Sequence, residues 1–553
     1  MKAIRRPGKK FWLLIPLAAI LLFGFAYNSK DKEFEIIKNL DIFYSLFREL
    51  NLFYVDETDP KQLIEASIDG MLKSLDPYTT YIPADEQANF AFMTTGEYGG
   101  IGALIRRGGE YTVISEPYEG FPAQKAGLRA GDTIVSIDGV TTRGKEISEV
   151  SEMLKGQPNT SLKLTMKRWG EDKSFDIKLV RELITIPSIP YFGLVKDSIG
   201  YIRLTNFTKN AGEETRNALK KLISEGAQSV ILDLRGNPGG LLIESVNVTG
   251  LFVGKGTEIV STRGRVKQWD AVYKTDNPPV DTAIHLVVLV NRASASASEI
   301  VAGALQDLDR AVIIGQKTFG KGLVQTTRPL SYDAQLKVTT AKYYIPSGRC
   351  IQAVDYSHRN EDGSVGFIPD SLIREFNTKN GRKVYDGGGI SPDVPLDPEQ
   401  PGNITISLYT KNLIFDYATK YAASHETFGS IGNMSFSDAD YNDFLDFIST
   451  KNYDYVTESD DKLTELIGIA KSEKYYDGAE KEFEALKKKL AHDKEKDLRT
   501  FKGEIEALIM EEIAGRYYFQ KGKARASLIW DKAFDKAVGV CENDELYRSI
   551  LMQ

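Results

Sequence analysis

The chain has 553 residues, 42% hydrophobic and 27% charged, which is too long for one core but of a composition that folds. A net charge of −7 offers no basic face, so no nucleic-acid partner is expected. Two cysteines, Cys350 and Cys541, exclude a disulfide scaffold and a cysteine-rich zinc site, and the sequence does not decide whether they pair.

Residues 1–10 carry Lys2, Arg5, Arg6, Lys9 and Lys10 with no acid, and an apolar run from Phe11 to Tyr27 follows. That run of roughly 17 residues is at the short limit for a membrane helix, which needs about 20. It fits a secretory signal equally, with Gly24-Phe25-Ala26 as a weak cleavage site. Residues 1–28 are therefore set apart as signal peptide or membrane anchor. The rest is expected outside the cytosol, in the cell envelope or periplasm, tethered to the inner membrane where the leader is retained.

Residues 33–93 read as helical: Phe34, Ile37, Leu40, Phe43, Phe47 and Leu50 recur at helical spacing, as do Leu63, Ile64, Ile68, Met71 and Leu72. Residues 97–183 change character. Glycines cluster from Gly96 to Gly102, and short alternating strands such as Tyr111–Ser115 and Ser161–Met166 follow. Between them, Pro122 to Gly139 reads as a short glycine-ended helix, a turn and a strand.

From Ser198 to about Thr340, Val/Ile/Leu runs at 200–204, 229–234 and 284–290 alternate with helical stretches near 211–225 and 241–252. This predicts a mostly parallel sheet covered on both faces, within an α/β core spanning 184–398. Residues 402–553 read as helical and charged, and Lys481–Leu490 suits a solvated helix face. No chemistry is visible there, so packing or partner docking is the expectation.

The chemistry concentrates in three turns of the core. Ser296 falls between the strand 284–290 and a helix from Glu299 to Gln306, where free N–H groups and the helix dipole favour a developing oxyanion. Ser296-x-x-Glu299 is also a capping box, which by itself is structural, and Ser294 and Ser298 are rivals in the same turn. Lys321 lies between Gly320 and Gly322, which let its backbone approach another element closely. With only four histidines in the chain, a lysine is the plausible base for a serine.

To act near neutral pH its amine must fall well below about 10.4, a shift that full burial can supply by up to ~3–5 units. Phe319, Leu323 and Val324 are the expected apolar setting, and Gln325 is placed to hold the amine. Gly315 to Lys321 matches most of a phosphate loop. However, Gly322 replaces the Ser/Thr that would hold magnesium, and a strand-like segment follows instead of a helix. The third turn, Asp233 to Gly240, closes a buried strand, so Gly239 or Gly240 could offer an N–H to an oxyanion. An ordinary Asn-Pro-Gly turn is the competing reading. Asp307 is expected to pair with Arg310 at least as readily as to serve catalysis, and the scattered histidines have no metal-ligand spacing.

Taken in order, Tyr98–Gly102, Ala126–Asp132, Asp233–Gly240, Ser294–Glu299, Thr318–Gly322, Tyr343–Gly348 and Gly389–Asp393 resemble the carboxyl-terminal processing peptidases, also called tail-specific proteases. The resemblance covers roughly residues 35–398 and implies a Ser/Lys serine endopeptidase. It implies a multidomain α/β fold, with a Clp/crotonase-like core, an inserted PDZ-like domain and helical N- and C-terminal regions. By motif position the nucleophile is Ser296, the base Lys321 assisted by Gln325, and the oxyanion donors Ala297 with Gly239 or Gly240. Gly100, Ile101 and Gly102 map to the nest that captures a peptide's terminal carboxylate.

The implied partners are unfolded or C-terminally exposed proteins, the membrane through the N-terminal segment, and a second copy of the chain in a homo-oligomer. No metal or cofactor is implied. The alternatives are a non-catalytic peptide-binding scaffold and an acyl-binding protein on a crotonase-like sheet.

Overall fold

The computed structural model describes residues 14–430, 433–490 and 493–552, with side chains described from residue 32 onward except at 88 and 89. It divides into two compact units, 1–81 and 82–553. In the first, a long helix runs Leu14–Phe53. A second, Pro60–Lys73, starts with Asp59 accepting from the N–H groups of Lys61 and Gln62 and with proline at its first position. The apolar residues whose spacing predicts the first helix, Phe34, Ile37, Leu40, Phe43 and Leu50, are exposed. The chain is irregular at 54–59 and over most of 74–86. Residues 1–13 of the expected leader lie outside the described residues, and among those described no helix is long and apolar enough to cross a membrane.

In the second unit, alternation decides the small β-domain. Strands Ala103–Gly108, Tyr111–Pro117, Thr133–Ile137, Ser161–Lys167 and Phe175–Val180 form one antiparallel sheet in that order, with Ala103–Gly108 at an open edge. Ser161–Lys167 buries Leu162, Leu164 and Met166 and leaves Lys163 exposed and Thr165 half-buried between them, the period-2 pattern of a half-buried strand. These side chains pack with Ile101, Ile114, Ile134, Ile137 and with Val150 and Leu154 of the helix Ile147–Leu154. Glu97–Gly100 pairs with Glu182–Thr185, bringing entry and exit of the domain together.

The main sheet runs Tyr191–Lys196, Ile199–Arg203, Ser229–Asp233, His285–Val290, Val312–Gly315 and Val394–Pro395; only the first pair is antiparallel. Alternate residues of the same strands go to opposite faces. Val230, Leu232, Leu286, Val288 and Ile313 meet helices Ala211–Ser224, Leu242–Thr249 and Ala297–Asp307. Ile231, Val287, Leu289, Val312 and Ile314 meet Leu528, Phe534, Val538, Tyr547 and Ile550. Both faces are covered as predicted, but the second cover comes from the C-terminal segment. That explains why these strands read as continuous apolar runs.

A second, antiparallel sheet contains Leu323–Pro329, Gln335–Tyr344, Glu258–Gly264 and Ala271–Lys274. The C-terminal helices Asn403–Thr410, Leu413–Ser424, Asp438–Ile448 and Lys502–Ala526 bury a core of their own around Tyr417, Phe444 and Ile509. Tyr476–Leu490 has no buried residue, in keeping with its charge pattern. Cys350 and Cys541 are both free. No metal-holding group occurs among the described residues, and His492 lies outside them.

Candidate active site

Ser296 stands where the strand His285–Val290 has ended and the helix Ala297–Asp307, buried along its whole length, begins. Its backbone is at φ 55°, ψ −113°, outside the regions a serine normally occupies, a strain of about 1–3 kcal/mol that the surroundings must hold. The rivals in this turn are structural. The Ser294 hydroxyl donates to the Leu234 carbonyl at 2.8 Å and the Ser298 hydroxyl to the Asn237 carbonyl at 2.9 Å, and both side chains are fully buried. Of the three, Ser296 alone lines the cleft that contains Lys321.

The loop carrying Lys321 is tied to the serine turn through one carboxylate. Glu299, fully buried, accepts from Ser296 N (2.8 Å) and Lys321 N (2.9 Å) on one oxygen. On the other it accepts from Gly320 N (2.7 Å) and the Thr318 hydroxyl (2.6 Å). Burial pushes its carboxyl up to about 7, against the pull of those four donors. The Tyr343 hydroxyl adds a second tie, donating to the carbonyls of Lys321 (2.6 Å) and Ser296 (3.2 Å). After Lys321 the chain enters the strand Leu323–Pro329. There Gln325 lines the cleft while its amide donates to the Thr339 hydroxyl at 3.1 Å. Leu323 and Val324 lie beside Lys321 as expected; Phe319 does not, being 53% exposed and absent from the cleft wall.

The glycine turn closes the third side. Asn237, fully buried, is its staple. Its amide donates to the Leu204 carbonyl, its carbonyl receives Ala295 N and the Ser298 hydroxyl, and its side-chain oxygen accepts Gly239 N at 2.9 Å. Gly239 must be glycine: at φ +102° a Cβ would sit 2.8 Å from the Ser296 Cβ and 3.0 Å from Ala297 N. With Gly239 N committed to Asn237, the N–H of Gly240 and that of Ala297 make no hydrogen bond among the described residues.

The root of this turn is an ion-pair relay. Asp233, fully buried, receives the Tyr201 hydroxyl at 2.7 Å and Arg235, and Arg235 reaches on to Asp531 at the start of a C-terminal helix. Burial pushes the Asp233 carboxyl up, but Arg235, Arg203 and Tyr201 outweigh it and hold it below its ordinary value.

Asp307 pairs with Arg349 at 2.8 Å and accepts Ser347 N, not Arg310 as expected. Arg310 donates instead to the Phe252 carbonyl. The resulting cleft, about 520 Å³, is walled by Ser296, Lys321, Gln325, Gly239, Gly240 and Tyr343, with Phe90, Met93, Leu241 and Ile300 among its apolar residues.

Residues 198–358 match the family described as "Peptidase family S41", 113–168 a "PDZ domain", and 404–541 the "Probable PDZ-protease, C-terminal helical domain". A "Carboxy-terminal-processing protease" of Bartonella bacilliformis is 41% identical over 405 residues, 69% of this chain and 90% of that protein. The chain belongs to the carboxy-terminal-processing proteases of peptidase family S41. A "Probable CtpA-like serine protease" of Staphylococcus aureus is 36% identical over 316 residues, covering 57% of this chain and 62% of that one. A solved "Photosystem II D1 C-terminal processing protease" shares 31% identity over 65% of this chain and 92% of its own, with a TM-score of 0.34.

The PDZ domain of this serine-type peptidase is the small β-domain described above, with Ala103–Gly108 as its edge strand. Ile101 is a core residue, 2% exposed, whose carbonyl receives Ala123 N. Gly102, at φ +70°, turns the chain beneath Phe121, where a Cβ would meet a side-chain carbon at 2.4 Å. The N–H groups of Ile101 and Gly102 make no hydrogen bond among the described residues, and they precede the open strand Ala103–Gly108. Sequence reasoning missed Glu299 as the tie between the two loops, together with Asn237, Tyr343 and the Arg235–Asp531 contact. The motifs contained Glu299, Asn237 and Tyr343, but a motif does not say which backbone each side chain holds.

Proposed function

We propose that this carboxy-terminal-processing protease is an exported endopeptidase that cuts proteins near their C-termini, with Ser296 as nucleophile and Lys321 as general base. The neutral Lys321 amine takes the Ser296 proton as the oxygen attacks the scissile carbonyl, then protonates the leaving amine. Water, deprotonated by the same amine, clears the acyl-enzyme. Gln325 orients Lys321. The developing oxyanion is held by the N–H groups of Ala297 and Gly240; Gly239 shapes the turn, its own N–H being engaged by Asn237. The mechanism uses no metal or cofactor.

The observation that carries this reading is the single cleft in which Ser296, Lys321, Gln325 and the glycine pair meet, with Ser296 held in a strained backbone at a helix start. The basic, apolar residues 1–28 support export and membrane tethering. Gly100, Ile101 and Gly102 support capture of the substrate's terminal carboxylate beside the edge strand, delivering the tail or relieving an inhibited site. The exposed Phe34, Ile37, Leu40 and Phe43 support a homo-oligomer formed through the N-terminal helix.

The test is digestion of an unfolded protein followed by mass spectrometry. Wild type should yield fragments cut near the C-terminus, and Ser296→Ala and Lys321→Ala should yield none. Equal digestion by wild type and both variants would refute the assignment.

A further inference from the structure

One wall of the catalytic cleft contains a charged group that the mechanism leaves idle. Strands Leu323–Pro329 and Gln335–Tyr344 pair so that Gln325 lies opposite Thr339 and Thr327 opposite Lys337. Successive rungs two residues apart point to the same side. Lys337 therefore continues the face that bears Gln325, one such step, about 7 Å, further from Ser296 along the sheet. Thr327 and Lys337 both line the cleft.

Two features make this lysine unlike a solvated surface residue. It is half-buried and makes no hydrogen bond or ion pair among the described residues. Burial lowers its pKa, the sign of an ammonium that has lost water without gaining a partner. The remaining cleft wall contains Lys321 and polar or apolar side chains, with no aspartate or glutamate. With Lys321 neutral, as the mechanism requires, Lys337 is the one formal charge on the described cleft wall, and it is positive in a chain of net charge −7.

We propose that Lys337 is a specificity-determining residue that binds a carboxylate of the substrate within a few residues of the scissile bond. The inference rests on the peptidase reading of the cleft. An extended substrate advances about 3.3 Å per residue, so its side chains fall in step with the strand that carries Lys337. The partner is an aspartate or glutamate side chain, or the free C-terminal carboxylate of a tail lying in the groove. Either one supplies the counter-charge that the cleft itself lacks, and lysine and arginine at the same position are disfavoured by like charge.

The test uses quenched fluorescent peptides of one apolar sequence, carrying Asp, Asn or Lys at successive positions around the cleavage site. Each is made as the free acid and as the C-terminal amide, and the full chain is used throughout. At one position wild type should prefer Asp over Asn by about tenfold in kcat/KM, the factor that corresponds to about 1.4 kcal/mol. Lys337→Gln should bring that ratio to about one, and Lys337→Glu should invert it in favour of Lys. A preference that follows acid over amide, and vanishes in Lys337→Gln, assigns the terminal carboxylate instead.

The ratios are internal to each variant, so partial misfolding does not mimic the effect. Binding of the same peptides to Ser296→Ala, read by fluorescence anisotropy, gives the selectivity without turnover. Cleavage with no charge preference at any position, or a preference unchanged in Lys337→Gln, overturns the proposal and leaves the peptidase reading standing. Absence of cleavage by wild type would sink the peptidase reading, while the anisotropy series would still decide the role of Lys337.

Discussion

Replacing Glu299 by glutamine tests how the serine turn and the lysine loop are held together. The carboxylate accepts four hydrogen bonds, two on each oxygen, and no other described group joins both loops through so many contacts. Glutamine keeps the shape but turns one oxygen into a donor, so two of the four donors face an NH2 group. Each buried donor left unpaired costs about 1–3 kcal/mol, and because the Thr318 hydroxyl can turn to accept, one donor stays unpaired and the expected loss is about 1–3 kcal/mol.

That loss should appear as a lower urea midpoint, and as kcat reduced tenfold or more with KM little changed. The carboxyl's pKa is raised by burial from 4.5 to about 7. A carboxyl raised on folding contributes stability below its ordinary pKa and loses it as pH rises through the folded value. Wild type should therefore lose about 3 kcal/mol relative to Glu299→Gln between pH 4.5 and 7, at about 1.4 kcal/mol per pH unit. Activity should move the other way, because only the ionised form accepts from all four donors. A variant with wild-type kcat, midpoint and pH dependence would refute this account of Glu299.

The other predictions address the frame around the site. Gly240→Ala would place a Cβ 2.3 Å from the Phe207 carbonyl at φ +146°, so activity against peptides should drop by at least a hundredfold, the effect of about 2.7 kcal/mol; near-normal kcat would contradict the geometry. Asp531→Asn should cost about 1–2 kcal/mol by weakening the hold on Arg235, lowering kcat more than it raises KM. An effect on KM alone would separate Asp531 from the glycine turn. Tyr547→Phe removes a hydroxyl that receives Leu286 N and donates to backbone carbonyls, and should lower unfolding free energy by about 1–3 kcal/mol with peptidase kinetics unchanged at low temperature.

Much of the site is legible in the sequence because its signals are local. A buried strand, a short turn and a good helix fix where Ser296 falls, and glycines on both sides of Lys321 announce a close backbone approach. The partners of Glu299 are not local. Thr318 and Gly320 meet it only after the segment following Val312–Gly315 folds back over the serine helix. Asp307 finds Arg349 for the same reason, while the nearer Arg310 points to a carbonyl. Phe319 shows the limit of reading neighbours in sequence as neighbours in space, since it is turned to solvent while Leu323 is buried. Strands apolar on every residue do not reveal which element covers each side, so the role of residues 528–550 could not be read from spacing.

That cover makes the parallel sheet depend on chain more than two hundred residues away from its middle strands. Leu528, Phe534, Val538, Tyr547 and Ile550 shield strand residues for which the core cluster shows no other apolar cover. A chain cut before residue 528 should leave Ile231, Val287, Leu289, Val312 and Ile314 open to water on that face and lose the stability their burial supplies.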